Sequence, residues 1–235
     1  KYYLSGKYTR ADEVYSEILA VNPLHPTALH YLGLLAYRKG QVDPAISLIQ
    51  KAIFYKSDYV EAYYNLGNIF CWIGKFDKAI VSFGRAVEFD SNYAAAYLSI
   101  ANLFMKQGKF KEAIGGYQRV LFLKPASAEA HNYLGLAYKA VKKFKMALVS
   151  FKSAVNIKEN YTEALMNLAL TYKKMGDLDS VIKTYGKSLV VNPDQSEVHN
   201  NLGNALREQG RNEEALNSYK KAFAINPECR ILDIF

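Results

Sequence analysis

Apolar positions along this chain fall into short blocks that return at a fixed interval. The segments YLGLLAY, NLGNIFC, SIANLFM, YLGLAYK, NLALTYK and NLGNALR place a small residue at Gly33, Gly67, Ala101, Gly135, Ala169 and Gly203, each 34 residues after the last. A second column in the same frame runs Ala11, Ala45, Ala79, Ala113, Ala147, Val181 and Ala215. Four residues later come Tyr15, Ile49, Phe83, Tyr117, Phe151, Tyr185 and Tyr219. Residues four apart share one face of a helix. A small residue followed by a bulky one therefore marks a helix lying close against a neighbour, with the large side chain filling the space beside the contact. Ala52, Ala86, Ala154, Ser188 and Ala222 form a third small column, and Pro23, Pro125, Pro193 and Pro227 close their units.

Between the two helices of each unit stand Gly6, Gly40, Gly74, Gly108, Gly176 and Gly210. A left-handed residue there turns the chain and satisfies the orphan carbonyls of the first helix. Lys142 occupies this column in one unit. Holding a lysine at positive φ costs about 1 kcal/mol, so a differently shaped turn is expected there. Each unit is thus a helical hairpin that cannot bury its apolar face alone, and neighbours must stack into a solenoid.

These columns, Leu-Gly, an aromatic, then Ala, an aromatic and Pro, resemble the tetratricopeptide repeat, and the resemblance covers nearly the whole chain. It implies an all-α fold: a right-handed superhelical solenoid of 34-residue antiparallel helix hairpins. Residues 1–235 are expected to form one array, with a partial repeat at 1–25, full repeats at 26–59, 60–93, 94–127, 128–161, 162–195 and 196–229, and the start of a further helix at 230–235. Because the chain begins without Met and inside a unit, it is expected to be part of a longer protein. The incomplete hairpin and the apolar ILDIF tail should leave core-like surface at the ends. Tyr2, Tyr3, Leu4 or residues 231–235 are therefore expected to fold into the chain's own groove or to mediate self-association.

In this family the first helix of each repeat lines the concave side. The resemblance then implies a peptide-binding set of Tyr64, Asn65, Asn68, Trp72, Asn102, Lys106, Asn132, Lys139, Asn167, Lys173, Asn201, Asn204 and Arg207, with His30 and Tyr31 also facing inward. An asparagine amide both donates and accepts, so a column of them can hold successive peptide units of an extended chain. Asn65, Asn167 and Asn201, each within Asn-Leu-Gly/Ala, resemble the asparagine ladder in the repeat region of O-linked N-acetylglucosamine transferases, which holds extended polypeptides. Tyr31, Ser99 and Tyr133 interrupt the column, and an asparagine bonded to a neighbouring repeat is the competing structural reading. A related clamp for the C-terminal carboxylate of chaperones is disfavoured. Its basic positions correspond here to His30, Tyr64 and Leu98, and to the acids Glu61, Glu129, Glu163 and Glu197.

The formal net charge is +8, from 30 Lys and Arg against 22 Asp and Glu, which raises the question of phosphate binding. On the expected groove face, however, Arg38, Lys106, Lys139, Lys173, Lys174 and Arg207 are met by Glu61, Glu129, Glu163, Glu197 and Glu208. Acids near helix starts and bases near helix ends also complement helix dipoles. This disfavours nucleic acid and leaves a protein or peptide with acidic segments as the expected partner. No His-Glu-x-x-His, paired Cys-x-x-Cys or Gly-rich phosphate loop appears, and His131 and His199 occupy equivalent packing positions. No enzyme activity, metal or cofactor is expected of these residues, and Cys71 reads as a packed small residue. The chain lacks the roughly 18 to 20 apolar residues of a membrane span and the apolar core of a signal peptide, so no membrane insertion and a cytoplasmic address are expected. Two functional classes remain: a freestanding protein-interaction module that binds an extended peptide, and the substrate-recruiting region of a larger enzyme such as an O-linked glycosyltransferase.

Overall fold

The computed structural model describes Tyr3 and residues 5–227. These residues form thirteen helices and no strand. They divide into two compact units, one ending at Gln107 and the other beginning at Gly108. The first holds α1 (Tyr8–Val21), α2 (Pro26–Arg38), α3 (Val42–Tyr55), α4 (Val60–Trp72), α5 (Phe76–Phe89) and α6 (Ala94–Lys106). The second holds α7 (Phe110–Leu123), α8 (Ala128–Ala140), α9 (Phe144–Ile157), α10 (Thr162–Lys174), α11 (Leu178–Val191), α12 (Ser196–Glu208) and α13 (Asn212–Ile225). Within each unit, helices consecutive in sequence pack together, which makes an all-α solenoid of hairpins. Tyr2, Leu4 and residues 231–235, which the sequence marks as chain-end contacts, lie outside the described residues.

The small columns sit at the helix crossings. Ala45, Ala79, Ala113 and Ala147 are fully buried, as are Ile49, Phe83, Tyr117 and Phe151 one turn on. A Cβ added to Gly67 would lie 2.5 Å from Phe83 Cε1, and one on Gly135 would lie 2.5 Å from Phe151 Cε1. At these positions the aromatic ring comes so close to the backbone of the opposing helix that any side chain must displace it.

The turns inside the hairpins share one geometry. Gly40 and Gly74 have φ of 78° and 74°. The next residue closes the helix from outside, Gln41 N–H donating to Ala36 O at 2.9 Å and Lys75 N–H to Phe70 O at 2.8 Å. Lys142 does not form the different turn expected from its side chain. It adopts φ 59°, and Lys143 N–H donates to Tyr138 O at 2.8 Å as in the glycine turns. The closing hydrogen bond and the start of α9 hold the lysine in the strained region, at a cost of about 1 kcal/mol.

Candidate functional site

In the first unit, the first helices of the hairpins, α2, α4 and α6, bring the candidate residues onto shared faces. Tyr31, Tyr37, Tyr64, Asn65, Asn68 and Glu61 line a cavity of about 460 Å³, with Tyr3 along its edge. Tyr3 packs on Tyr8 and Tyr31, at ring-centroid distances of 5.5 and 5.3 Å, so this residue folds onto its own chain. Tyr64 is held by Phe83 and Tyr93 at 5.4 and 5.2 Å. Trp72 stands edge-on to Tyr37 at 5.6 Å and remains 66% exposed. Asn68 is exposed and Asn102 half-buried. The Lys106 ammonium lies 4.2 Å from the centre of the Phe76 ring.

The asparagine column bridges repeats. Asn65 Nδ2 lies 3.0 Å from His30 Nε2, Asn167 Nδ2 donates to Asn132 Oδ1 at 3.1 Å, and Asn201 Nδ2 points at Met166 Sδ at 3.9 Å. In each case the amide reaches the residue 35 positions earlier, on the first helix of the preceding repeat. This leaves the Oδ1 atoms of Asn65, Asn167 and Asn201 as acceptors that these bonds do not use.

Two of the bridges are built alike, three periods apart. His30 borders the cavity described above, as the sequence suggests, but only 1% of its surface is exposed because its ring is tied into the repeat interface. Its Nδ1 lies 2.9 Å from Tyr59 Oη. An amide NH2 can only donate, so Nε2 accepts from Asn65 and Nδ1–H donates to the tyrosine hydroxyl. Burial pulls the imidazole down to about 4 and pushes the Tyr59 phenol up to about 12. At the equivalent place Asn132, with no exposed surface, donates from Nδ2 to Tyr161 Oη at 3.3 Å and to Glu163 Oε1 at 3.0 Å. With Oδ1 taken by Asn167, both ends of the Asn132 side chain are engaged by neighbouring residues.

In the second unit, Asn204 Oδ1 accepts from Tyr219 Oη at 2.8 Å. Lys173 pairs with Glu208 at 2.7 Å, Arg207 is exposed, and Lys139 lines a cavity at the turn end of α8. His131 and His199 repeat one arrangement, each placing Nε2 near the carbonyl of the proline six residues earlier, at 3.1 and 3.0 Å. Burial pushes the Cys71 thiol up, away from the reactive thiolate.

The sequence marks Asn65 and Asn167 but gives no place to Tyr59 and Tyr161, which complete their bridges. These tyrosines stand just before α4 and α10, three periods apart like the residues they meet, and that spacing was the available signal.

Comparison with known proteins places these features in context. A family model described as TPR repeat matches residues 67–108 and 101–142, and models described as Tetratricopeptide repeat match residues 2–58, 162–195 and 196–229. Tetratricopeptide repeat protein 13 of Homo sapiens is 32% identical over 69 residues, a match spanning 29% of this chain and 8% of that protein. Among solved structures, MamA is 26% identical with a TM-score of 0.68, covering 73% of this chain and 94% of that one. The C-terminal part of a TPR repeat-containing protein from Cytophaga hutchinsonii is 19% identical with a TM-score of 0.81, covering 97% and 94%. At that identity the likeness is one of fold. No helix among the described residues is long and apolar enough to cross a membrane.

Proposed function

Since this chain belongs to the tetratricopeptide-repeat family, whose arrays serve as protein-interaction modules, we propose that it holds an extended peptide or partner segment on its first-helix faces and carries out no catalysis of its own. The regular use of the asparagine amides carries this reading. Each ladder Nδ2 is spent on the preceding repeat, which fixes the side chain, while Oδ1 stays available to accept from a peptide N–H. A fixed acceptor binds with less loss of side-chain freedom than a mobile one. Asn132 acts one layer further back by orienting Asn167.

In the first unit, the tyrosine-lined cavity beside Asn65 takes an apolar or aromatic side chain of the ligand, and exposed Trp72, edge-on to the cavity residue Tyr37, extends the apolar contact surface. Lys106, Lys139, Lys173 and Arg207 favour acidic ligand positions at the ends of these helices. Because the chain contains a single tryptophan, Trp72 reports directly on this face. Titration with a peptide selected from a random library should shift its emission to shorter wavelength in a saturable way. A bound peptide that leaves the Trp72 spectrum unchanged places the contact on another face.

A further inference from the structure

At the turn edge of the second unit lies a cavity of about 770 Å³, where Lys139, Lys142, Lys173 and Lys174 surround an apolar floor of Phe144 and Leu170. A smaller one of about 410 Å³ shares Lys142 and Phe144 and adds Lys143, Lys145, Met146 and Met175. Six lysines and no carboxylate line the two. Of these six lysines only Lys173 has an ion-pair partner among the described residues, Glu208 at 2.7 Å.

Helix dipoles account for part of this charge, since Lys139, Lys173 and Lys174 lie in the last turns of α8 and α10. Lys143 and Lys145 run against it. They gather at the start of α9, where the dipole repels cations, and that helix has no acid in its first turn. Lys142 is moreover the one non-glycine described residue at positive φ, in a position where six other turns carry glycine. Lys142 is therefore held against backbone preference and Lys143 and Lys145 against the α9 dipole, beside apolar surface that includes the exposed Met146 and Met175.

We propose that this turn edge binds an acidic peptide segment in which a bulky apolar side chain is flanked by carboxylates. The apolar side chain enters between Phe144 and Leu170, and the carboxylates meet the ammonium groups of Lys142, Lys143 and Lys174. The floor of Phe144, Leu170, Met146 and Met175 suits a bulky apolar side chain, and methionine adapts to its shape. The site shares Lys139 and Lys173 with the first-helix face but stands independently of that reading, so its test uses lysines outside that face.

The test is fluorescence anisotropy of the 235-residue chain with a labelled peptide of alternating Glu and Leu, compared with the matching Gln and Leu peptide. The Glu peptide should bind at least about tenfold more tightly, and its affinity should fall steeply with added salt, as expected of exposed charges. Combining Lys142→Gly with Lys143→Gln should weaken binding about threefold to tenfold. Lys142→Gly alone should weaken binding without lowering the melting temperature, because it installs the residue of the other turns; this single variant carries the test if the double one unfolds. Asn68→Ala with Trp72→Ala should leave binding of this peptide unchanged, which separates the edge from the first-helix face. Equal affinity for the Glu and Gln peptides, or unchanged affinity in the folded lysine variants, overturns the proposal. So does displacement of the peptide by phosphatidylserine vesicles or by single-stranded oligonucleotide at lower concentration, which assigns the lysines to a membrane or a nucleic acid.

Discussion

Leucine in place of Gly67 is expected to lower the stability of the first unit by about 3 kcal/mol or more, the upper end of overpacking effects. The added Cβ alone would come within 2.5 to 2.9 Å of three atoms of the Phe83 ring. Phe83 is fully buried in the core cluster, so its ring yields only by displacing packed neighbours. Relief then requires α4 and α5 to separate, which opens the contacts of both with their neighbours. Alanine should cost less, because α10 carries Ala169 in this column and still buries Tyr185 against it. Urea denaturation of the purified variant checks this, and an unchanged midpoint would show that the close crossing lies elsewhere.

The second large effect is a loss of stability in acid that traces to His30. Its folded value, about 4, lies below the ordinary histidine value of 6.5. Between those values the unfolded chain binds the proton more readily than the folded one. Stability from this group is therefore fully present above pH 6.5 and is lost as pH falls toward 4, to the extent of about 3 kcal/mol. Geometry agrees, since a second proton on the ring would place Nε2–H against the NH2 group of Asn65. The chain itself supplies a non-titrating replacement, as Asn132 fills the equivalent bridge between Tyr161 and Asn167. His30→Asn should keep most of the stability at pH 7 and flatten its decline between pH 6.5 and 4. Denaturant midpoints of both proteins measured across that range test this, and parallel profiles would assign the acid sensitivity to other groups.

These two residues also show what a sequence can convey. Gly67 was legible because a close crossing restricts residue size absolutely, so the small column survives in every repeat. The bridging role of His30 was not, because its position on the first helix lets one ring both border the groove cavity and bond into the interface with the following repeat. The second role depends on whether a tyrosine at the end of its own repeat and an asparagine of the next one meet it, as Tyr59 and Asn65 do. The asparagine column shows the same ambiguity, since composition cannot say which end of an amide is tied down. The structure engages Nδ2 of Asn65 and Asn167 between repeats. Alanine at these positions therefore perturbs folding as well as binding. Lys142 differs again: the rule that a left-handed turn wants glycine is correct on average, yet the closing hydrogen bond from Lys143 preserved the turn and left the strain in the lysine.

The proposal that ligands lie on the first-helix faces is tested most directly at side chains whose removal leaves the repeats intact. Asn68 and Trp72 meet that condition, since both are exposed and neither forms part of the His30 or Asn132 bridges. The measurement is calorimetric titration of a library-selected peptide into the wild-type chain and into the Asn68→Ala, Trp72→Ala double variant, with the melting temperature recorded alongside. Loss of an exposed aromatic anchor and one amide should weaken binding by at least about thirtyfold while the melting temperature stays within a few degrees of the wild type. Unchanged affinity in the folded double variant would contradict the account and place the partner on the second-helix face or an edge of the repeats.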